Sequence, residues 1–320
     1  DDFYYTDAIT SDAVTSIRRC TQSQKPFFQY VAYTAPHWPM HIPEDDLSVD
    51  KYKRKYASGW DRIRRERFHR LRELGILDSA AQLSPRNDRV SAWTESADIE
   101  WQIHRMAVYA AMVERMDRGV GKIVAELRQQ GVLDNTLILF LSDNGGSPED
   151  IGFQNGLNTL GGNQFTRDGI KIQIGSDPSV LPGGPETYQG VGRGWANVND
   201  TPFRMFKTFS HEGGIATPLI AHWPSGKLSS GGVIHQVGHV IDIMPTCLEA
   251  ASASYPKSYL GNPIVSCEGR SLVPFMRGDE PRDRTIFWEF GNHAAVRQGR
   301  WKLVSRWPRG WELYDLEADR

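Results

Sequence analysis

Residues 137–146 read LILFLSDNGG. The apolar run, built to be buried, predicts a strand over 136–141. It runs directly into a hydroxyl, a carboxylate, an amide and two glycines. A buried strand does not need such an ending, and a surface turn does not need such a strand. The combination predicts a strand that delivers polar groups to a site.

Outward from this stretch the pattern alternates. Residues 6–19 carry Ile9, Val14 and Ile17 on one side and predict a helix. The segment PFFQYVAYTAPHWP follows, in which residues 27–33 are apolar apart from Gln29 and predict a second strand, covered on both faces and stopped by Pro36 and Pro39. Residues 98–130 place Ile99, Ile103, Met106, Ala110, Val113, Val120, Val124 and Leu127 near helical spacing, with Gly131 as terminator. Beyond 146, TPLIAHWP (217–224) predicts a strand. HVIDIMPTCLEAAS (239–252) predicts a helix that Pro245 starts or kinks. Helix, strand, long helix, strand is the order of an α/β protein with a largely parallel central sheet flanked by helices.

Two regions break the alternation. Residues 145–194 hold 13 of the 30 glycines and little periodicity, so they predict a long excursion, of a length that is usually functional or disordered. Tyr188, Trp195 and Phe165 in and beside it either line a substrate mouth or pack on the sheet; the mouth is favoured, because the excursion leaves directly from the polar strand end. The tail TIFWEFGNHAAVRQGRWKLVSRWPRGWELYDL alternates and is broken by Gly-Asn, Gln-Gly and Arg-Gly, predicting antiparallel hairpins. The expected division is therefore a catalytic α/β domain over 1–254 and a small antiparallel β subdomain over 255–320.

Composition narrows the function classes. The 320 residues are 39% hydrophobic and 24% charged with a net charge of −2, enough for a large core and without a field that would draw nucleic acid. Residues 51–72 contain ten Lys or Arg, but Asp61 and Glu66 are interspersed, which predicts a solvated helix face rather than a polyanion groove. No run of 18 apolar residues is present to span a membrane. Cys20, Cys247 and Cys267 are too few and too scattered for a disulfide framework or a zinc cluster.

In a parallel α/β sheet, ligands sit beyond the carboxyl ends of strands. Two predicted strands end in reactive chemistry, one at His37 and one at Asp143 and Asn144. Adjacent Asp and Asn offer hard oxygen ligands suited to Ca²⁺ or Mg²⁺, and Gly145 and Gly146 let the backbone turn away. The same residues also suit a plain turn, and by themselves favour it. His41 lies four residues after His37, but a zinc pair at that spacing needs a helix, which Pro36, Pro39 and Pro43 forbid. Lys207 lies five residues before Glu212-Gly213-Gly214 in TPFRMFKTFSHEGGIATP, where it could meet an anionic substrate.

Taken together, PFFQYVAYTAPHWP, DNTLILFLSDNGG, GWANVNDTPFRMFKTFSHEGGIATPLIAHWP and HVIDIMPTCLEAA resemble the consecutive motifs of the type I sulfatases. The likeness is to the arylsulfatase branch of the alkaline phosphatase superfamily. The tail stretches EGRSLVPFM, AVRQGRWKLV and WELYDLEADR match the same branch, so the resemblance covers nearly the whole chain, in order. It implies a sulfuric ester hydrolase acting on an aryl sulfate or a sulfated glycan. In that role Asp143 and Asn144 bind the cation, normally Ca²⁺; His37 meets the ester and assists its leaving oxygen; and Lys207 holds the sulfate. Relatives are often periplasmic or secreted, and the composition adds no expectation of a nucleic-acid or membrane partner.

The departures matter equally. The family nucleophile is a formylglycine made from a C/S-x-P/A-x-R motif, and the chain contains no such motif. Cys20, in RRCTQSQ, lacks both the small residue and the Arg. Asp1-Asp2 mimics the family's paired cation ligands, but no strand precedes it, so it is expected to be a decoy. Ala216 stands where many relatives carry Arg. The chain is therefore expected to be a piece of a longer sulfatase whose formylglycine lies upstream, and to be inactive alone. The alternatives are a phosphatase or phosphodiesterase of the same superfamily, or a non-catalytic Ca²⁺- or sulfated-glycan-binding protein.

Overall fold

A computed structural model describes residues 3–229, 231–279 and 284–318; the Asp1-Asp2 pair lies outside them. The helices in chain order are α1 (Tyr5–Gln22), α2 (Ser48–Tyr56), α3 (Trp60–Glu73), α4 (Ile99–Gln129), α5 (Phe153–Thr159), α6 (Arg193–Asn199), α7 (Glu212–Ile215), α8 (Ile243–Ala250) and α9 (Val273–Met276). The strands are β1 (Ile138–Leu141), β2 (Gln173–Ile174), β3 (Thr187–Tyr188), β4 (Leu219–His222), β5 (Ser258–Tyr259), β6 (Asn262–Pro263), β7 (Thr285–Phe290), β8 (His293–Gln298), β9 (Trp301–Arg306) and β10 (Trp311–Asp315). None of the described helices is long and apolar enough to cross a membrane.

The chain divides into two compact units. One comprises Asp1–Glu126, Asn144–Ala216 and Ile286–Arg320; the other comprises Leu127–Asp143 and Thr217–Thr285. In the first, α4 lays Met106, Val108, Ala110, Ala111 and Met112 into one core with Met40, Ile42, Trp60 and Trp195. Trp195 is fully buried, with its ring edge-on to those of Trp60 and Tyr56. The expectation that Trp195 lines a substrate mouth is thus corrected: one turn of α6 carries it into the core, where its indole N–H donates to the Gln102 carbonyl at 2.8 Å. Tyr188 is also buried, edge-on to Trp38, whereas Phe165 is exposed.

The glycine-rich excursion is tied down by a buried cation. Arg105 on α4 is 2% exposed; its guanidinium donates to the Gly190 carbonyl and to Asp150, and stacks over Trp101. Burial pulls its pKa down, opposed by Asp150. The backbone of 40–42 completes the attachment, with Met40 N–H on the Gln189 carbonyl and Ile42 N–H on that of Gly183. An excursion with few apolar residues is held here by polar anchors rather than by a core of its own.

Residues 27–33 are extended, with side chains alternating between half-buried and exposed, but they pair with no described strand. A predicted strand becomes a sheet strand only when a partner takes its ladder hydrogen bonds. The basic run forms α2 and α3, whose charges are mostly solvated or locally paired, as Lys51 with Glu114 and Arg62 with Glu66. Arg64 is the exception. It is 6% exposed and donates to the carbonyls of Ser84 and Asn197.

In the second unit β1 pairs β4 antiparallel, from Ile138 opposite His222 to Leu141 opposite Leu219. Parallel pairing among the described strands is confined to β2 with β3. Apolar periodicity marks a strand but carries no information about its direction. Pro245 is the third residue of α8, where a missing N–H costs nothing. Ahead of it, fully buried Asp242 accepts from the His239 and Arg270 amides and from the Arg284 guanidinium.

The tail forms the expected antiparallel sheet, in the order β10-β9-β8-β7. Ala295, Val304 and Tyr314 make its small apolar core with Leu316, which follows β10. This sheet belongs, from Ile286 on, to the same unit as residues 144–216.

Candidate active site

The site grows from two glycine pairs that share one contact. The Gly145 N–H donates to the Gly214 carbonyl at 3.0 Å. A Cβ on Gly145 would lie 1.8 Å from the Gly213 carbonyl oxygen, and one on Gly214 would lie 2.0 Å from that of Phe209. Neither Gly145 nor Gly146 takes a left-handed φ. They are required because two backbones touch there, not because the chain turns sharply. Gly145→Ala is therefore expected to lower stability by about 1–3 kcal/mol through overpacking. A urea midpoint equal to wild type would refute the close approach.

This contact puts Lys207 beside Gly146. The Lys207 N–H donates to the Gly146 carbonyl at 3.0 Å, two residues beyond Asn144. Met205 and Thr208, on either side of Lys207, both take left-handed φ values, 66° and 79°. Such conformations cost a non-glycine residue about 1–3 kcal/mol and persist only where surrounding structure imposes them. The Gly213 N–H closes the loop on the Arg204 carbonyl at 2.9 Å.

Lys207 Nζ lies 2.8 Å from His37 Nε2, joining residues 170 positions apart. His37 Nδ1 is 2.8 Å from the Trp38 carbonyl, and a carbonyl only accepts, so Nδ1 carries the proton. Nε2 is then the bare nitrogen and accepts from the ammonium. The ring also packs on Trp38, at 4.8 Å between centroids. His41 does not join this pair; it is turned inward onto the Thr187 carbonyl at 2.7 Å, and burial pulls its pKa down.

Behind the turn sits a residue the sequence reading passed over. Asp200, 7% exposed, accepts the Gly146 N–H on Oδ1 at 2.6 Å, while its Oδ2 has no hydrogen-bond partner among the described residues. Burial raises its pKa well above the usual carboxylate range, against the pull of the Gly146 N–H and Arg67. Tyr109 nearby is pushed up to about 12 by burial, with Asp200 adding to the effect. No spacing rule marks Asp200, because its role is set by a contact 54 residues away.

Asp143 and Asn144 fit a Ca²⁺ or Mg²⁺ ion in kind, since both offer hard oxygen donors, and the glycine contact fixes the backbone that follows them. They do not suffice in number: Ca²⁺ takes about 6–8 oxygens. Among the described residues no three His, Cys, Asp or Glu side chains group to hold a metal. Asp143 closes one compact unit and Asn144 opens the other.

The sulfatase family model matches residues 2–253, and a model for the C-terminal region of N-sulphoglucosamine sulphohydrolase matches residues 203–320. The chain belongs to the sulfatase family. It is 32% identical to an arylsulfatase of Klebsiella aerogenes over 85% of this chain and 56% of that protein. It is 30% identical to an uncharacterized sulfatase of Schizosaccharomyces pombe over 99% of this chain and 57% of that one. The chain thus spans little more than half the length of these relatives. Among solved structures, Ps i-CgsB in complex with k-i-k-neocarrahexaose shares the fold (TM-score 0.59, 22% identity, 99% of this chain and 49% of that chain). A phosphonate monoester hydrolase from Silicibacter pomeroyi does too (TM-score 0.54, 19% identity, 98% of this chain and 54% of that chain).

Proposed function

We propose that this chain is the C-terminal part of an arylsulfatase-type sulfuric ester hydrolase, acting on an aryl sulfate or a sulfated glycan. The observation that carries this reading is the Lys207–His37 pair, held beside Gly146. A sulfate monoester bears one negative charge, and its cleavage builds more on the departing oxygen. An ammonium and an imidazole on one side of the ester answer both charges. Lys207 Nζ, now shared with His37, turns to the sulfate oxygens. His37 keeps its Nδ1 proton on the Trp38 carbonyl, so Nε2, once Lys207 turns to the sulfate, is the atom that takes up a proton from solvent and delivers it to the leaving oxygen. Asp143 and Asn144 would hold a Ca²⁺ ion, which would supply further positive charge at the sulfate. The nucleophile, a formylglycine in this reading, belongs to residues upstream of these 320.

The test is a paired assay of the full-length protein on matched sulfate and phosphate esters of one phenol. The sulfate is expected to turn over at least about 100-fold faster, a difference of about 2.7 kcal/mol in transition-state binding. Preference for the phosphate would overturn the assignment in favour of a phosphatase or phosphodiesterase of the same fold.

A further inference from the structure

The C-terminal sheet grips the Lys207 loop at four places, none of them Lys207 itself. At its start, Arg204 Nη1 donates to Tyr314 Oη at 2.7 Å. Tyr314 Oη–H donates to Glu312 Oε2, which also accepts from His211 Nε2 at 3.0 Å, at the loop's end. Lys302, fully buried, donates from Nζ to Glu212 Oε1 at 2.6 Å. Phe209 packs on the His293 ring at 4.8 Å between centroids. The hydrogen bonds run one way, Arg204 to Tyr314 to Glu312, with His211 converging on the same oxygen. A loop forced through two left-handed residues needs such outside support.

We propose that the C-terminal sheet is the positioning element for Lys207, and that Tyr314 joins its two halves. The hydroxyl links Arg204, three residues before Lys207, to the carboxylate that holds His211, four residues after it. Without the hydroxyl, the start of the loop loses its hydrogen bond to the sheet and keeps only the packing of the Arg204 guanidinium over the ring, while Glu312 still holds the end. The loop can then relax away from its strained course and carry the ammonium off the site. This inference rests on the action of Lys207 on substrate proposed above.

The experiment uses the full-length protein with Tyr314→Phe, which keeps the ring and removes one oxygen, alone and combined with Lys207→Ala. Tyr314→Phe is expected to lower kcat/KM for a sulfate ester about tenfold when Lys207 is present, and less than about twofold in the Lys207→Ala background. A change that only reduced the folded fraction would lower both equally, and equal losses, or no loss, would overturn the proposal. Hydrogen exchange of the Lys207, Phe209 and Gly213 amides supplies a readout independent of activity. These amides are expected to exchange about tenfold faster in Tyr314→Phe, with those of α4 unchanged. If the wild-type protein hydrolyses no sulfate ester, the proposed reaction is wrong and exchange alone decides the positioning role: unchanged protection overturns it.

Discussion

Replacing Lys207 by alanine in the full-length protein is expected to lower kcat for a sulfate ester by about 100-fold or more, with the fold intact. The magnitude is that of removing one preorganised charge-stabilising donor from an active site. Lys207 is only partly buried and its side chain reaches one partner, His37, so truncation leaves no core cavity. The loss in stability should stay within the ordinary range for a surface change, about 0.5 kcal/mol. Lys207→Arg should recover part of the rate at most, because a planar fork does not occupy the place of a point charge. Steady-state kinetics beside a urea titration separates the two effects. Wild-type turnover in Lys207→Ala would remove Lys207 from the site and leave the contact with His37 without a catalytic meaning.

The second large effect is a complete loss. These 320 residues, expressed without any further sequence, are expected not to hydrolyse sulfate esters at all. A His, a Lys and the side-chain oxygens of Asp143 and Asn144 can stabilise charge but offer nothing to attack sulfur. No C/S-x-P/A-x-R stretch is present to supply a nucleophile, and Cys20 lies within α1 and away from such a motif. The chain should also associate. Phe28 and Tyr30 are 79% and 83% exposed along the unpaired extended segment, and Ile220 is 61% exposed on β4. Open strand edges bearing large apolar side chains recruit other chains. Expression beside a full-length form, with an aryl sulfate assay and light scattering on both, tests the pair of statements. Comparable activity in the short chain would make Cys20 or another dismissed residue the nucleophile and would sink the reading of the site.

The local signals were legible because they depend on neighbours in sequence. Helical spacing over 98–130 became α4, the alternating tail became the four-stranded sheet, and the apolar runs at 136–141 and 217–224 became β1 and β4. His37 and Lys207 were singled out by motif, and the fold brings them to 2.8 Å. What remained hidden depends on contacts between distant residues. The antiparallel pairing of β1 with β4, the burial of Trp195 and the tie of Arg105 to Gly190 are facts about partners, and no periodicity names a partner. Gly145 and Gly213 could be read as turn residues from sequence, yet their purpose is a backbone approach across 68 positions that leaves no room for a methyl group. Asp200 and Tyr314 carried no signal because a carboxylate and a phenol are ordinary at any surface. Only burial beside the Gly146 amide and the Arg204 guanidinium gives them work. The sequence by itself determined the elements and the chemistry carried to the site. Tertiary structure alone decided what holds Lys207 there, since that depends on which donor finds which acceptor once the chain has closed.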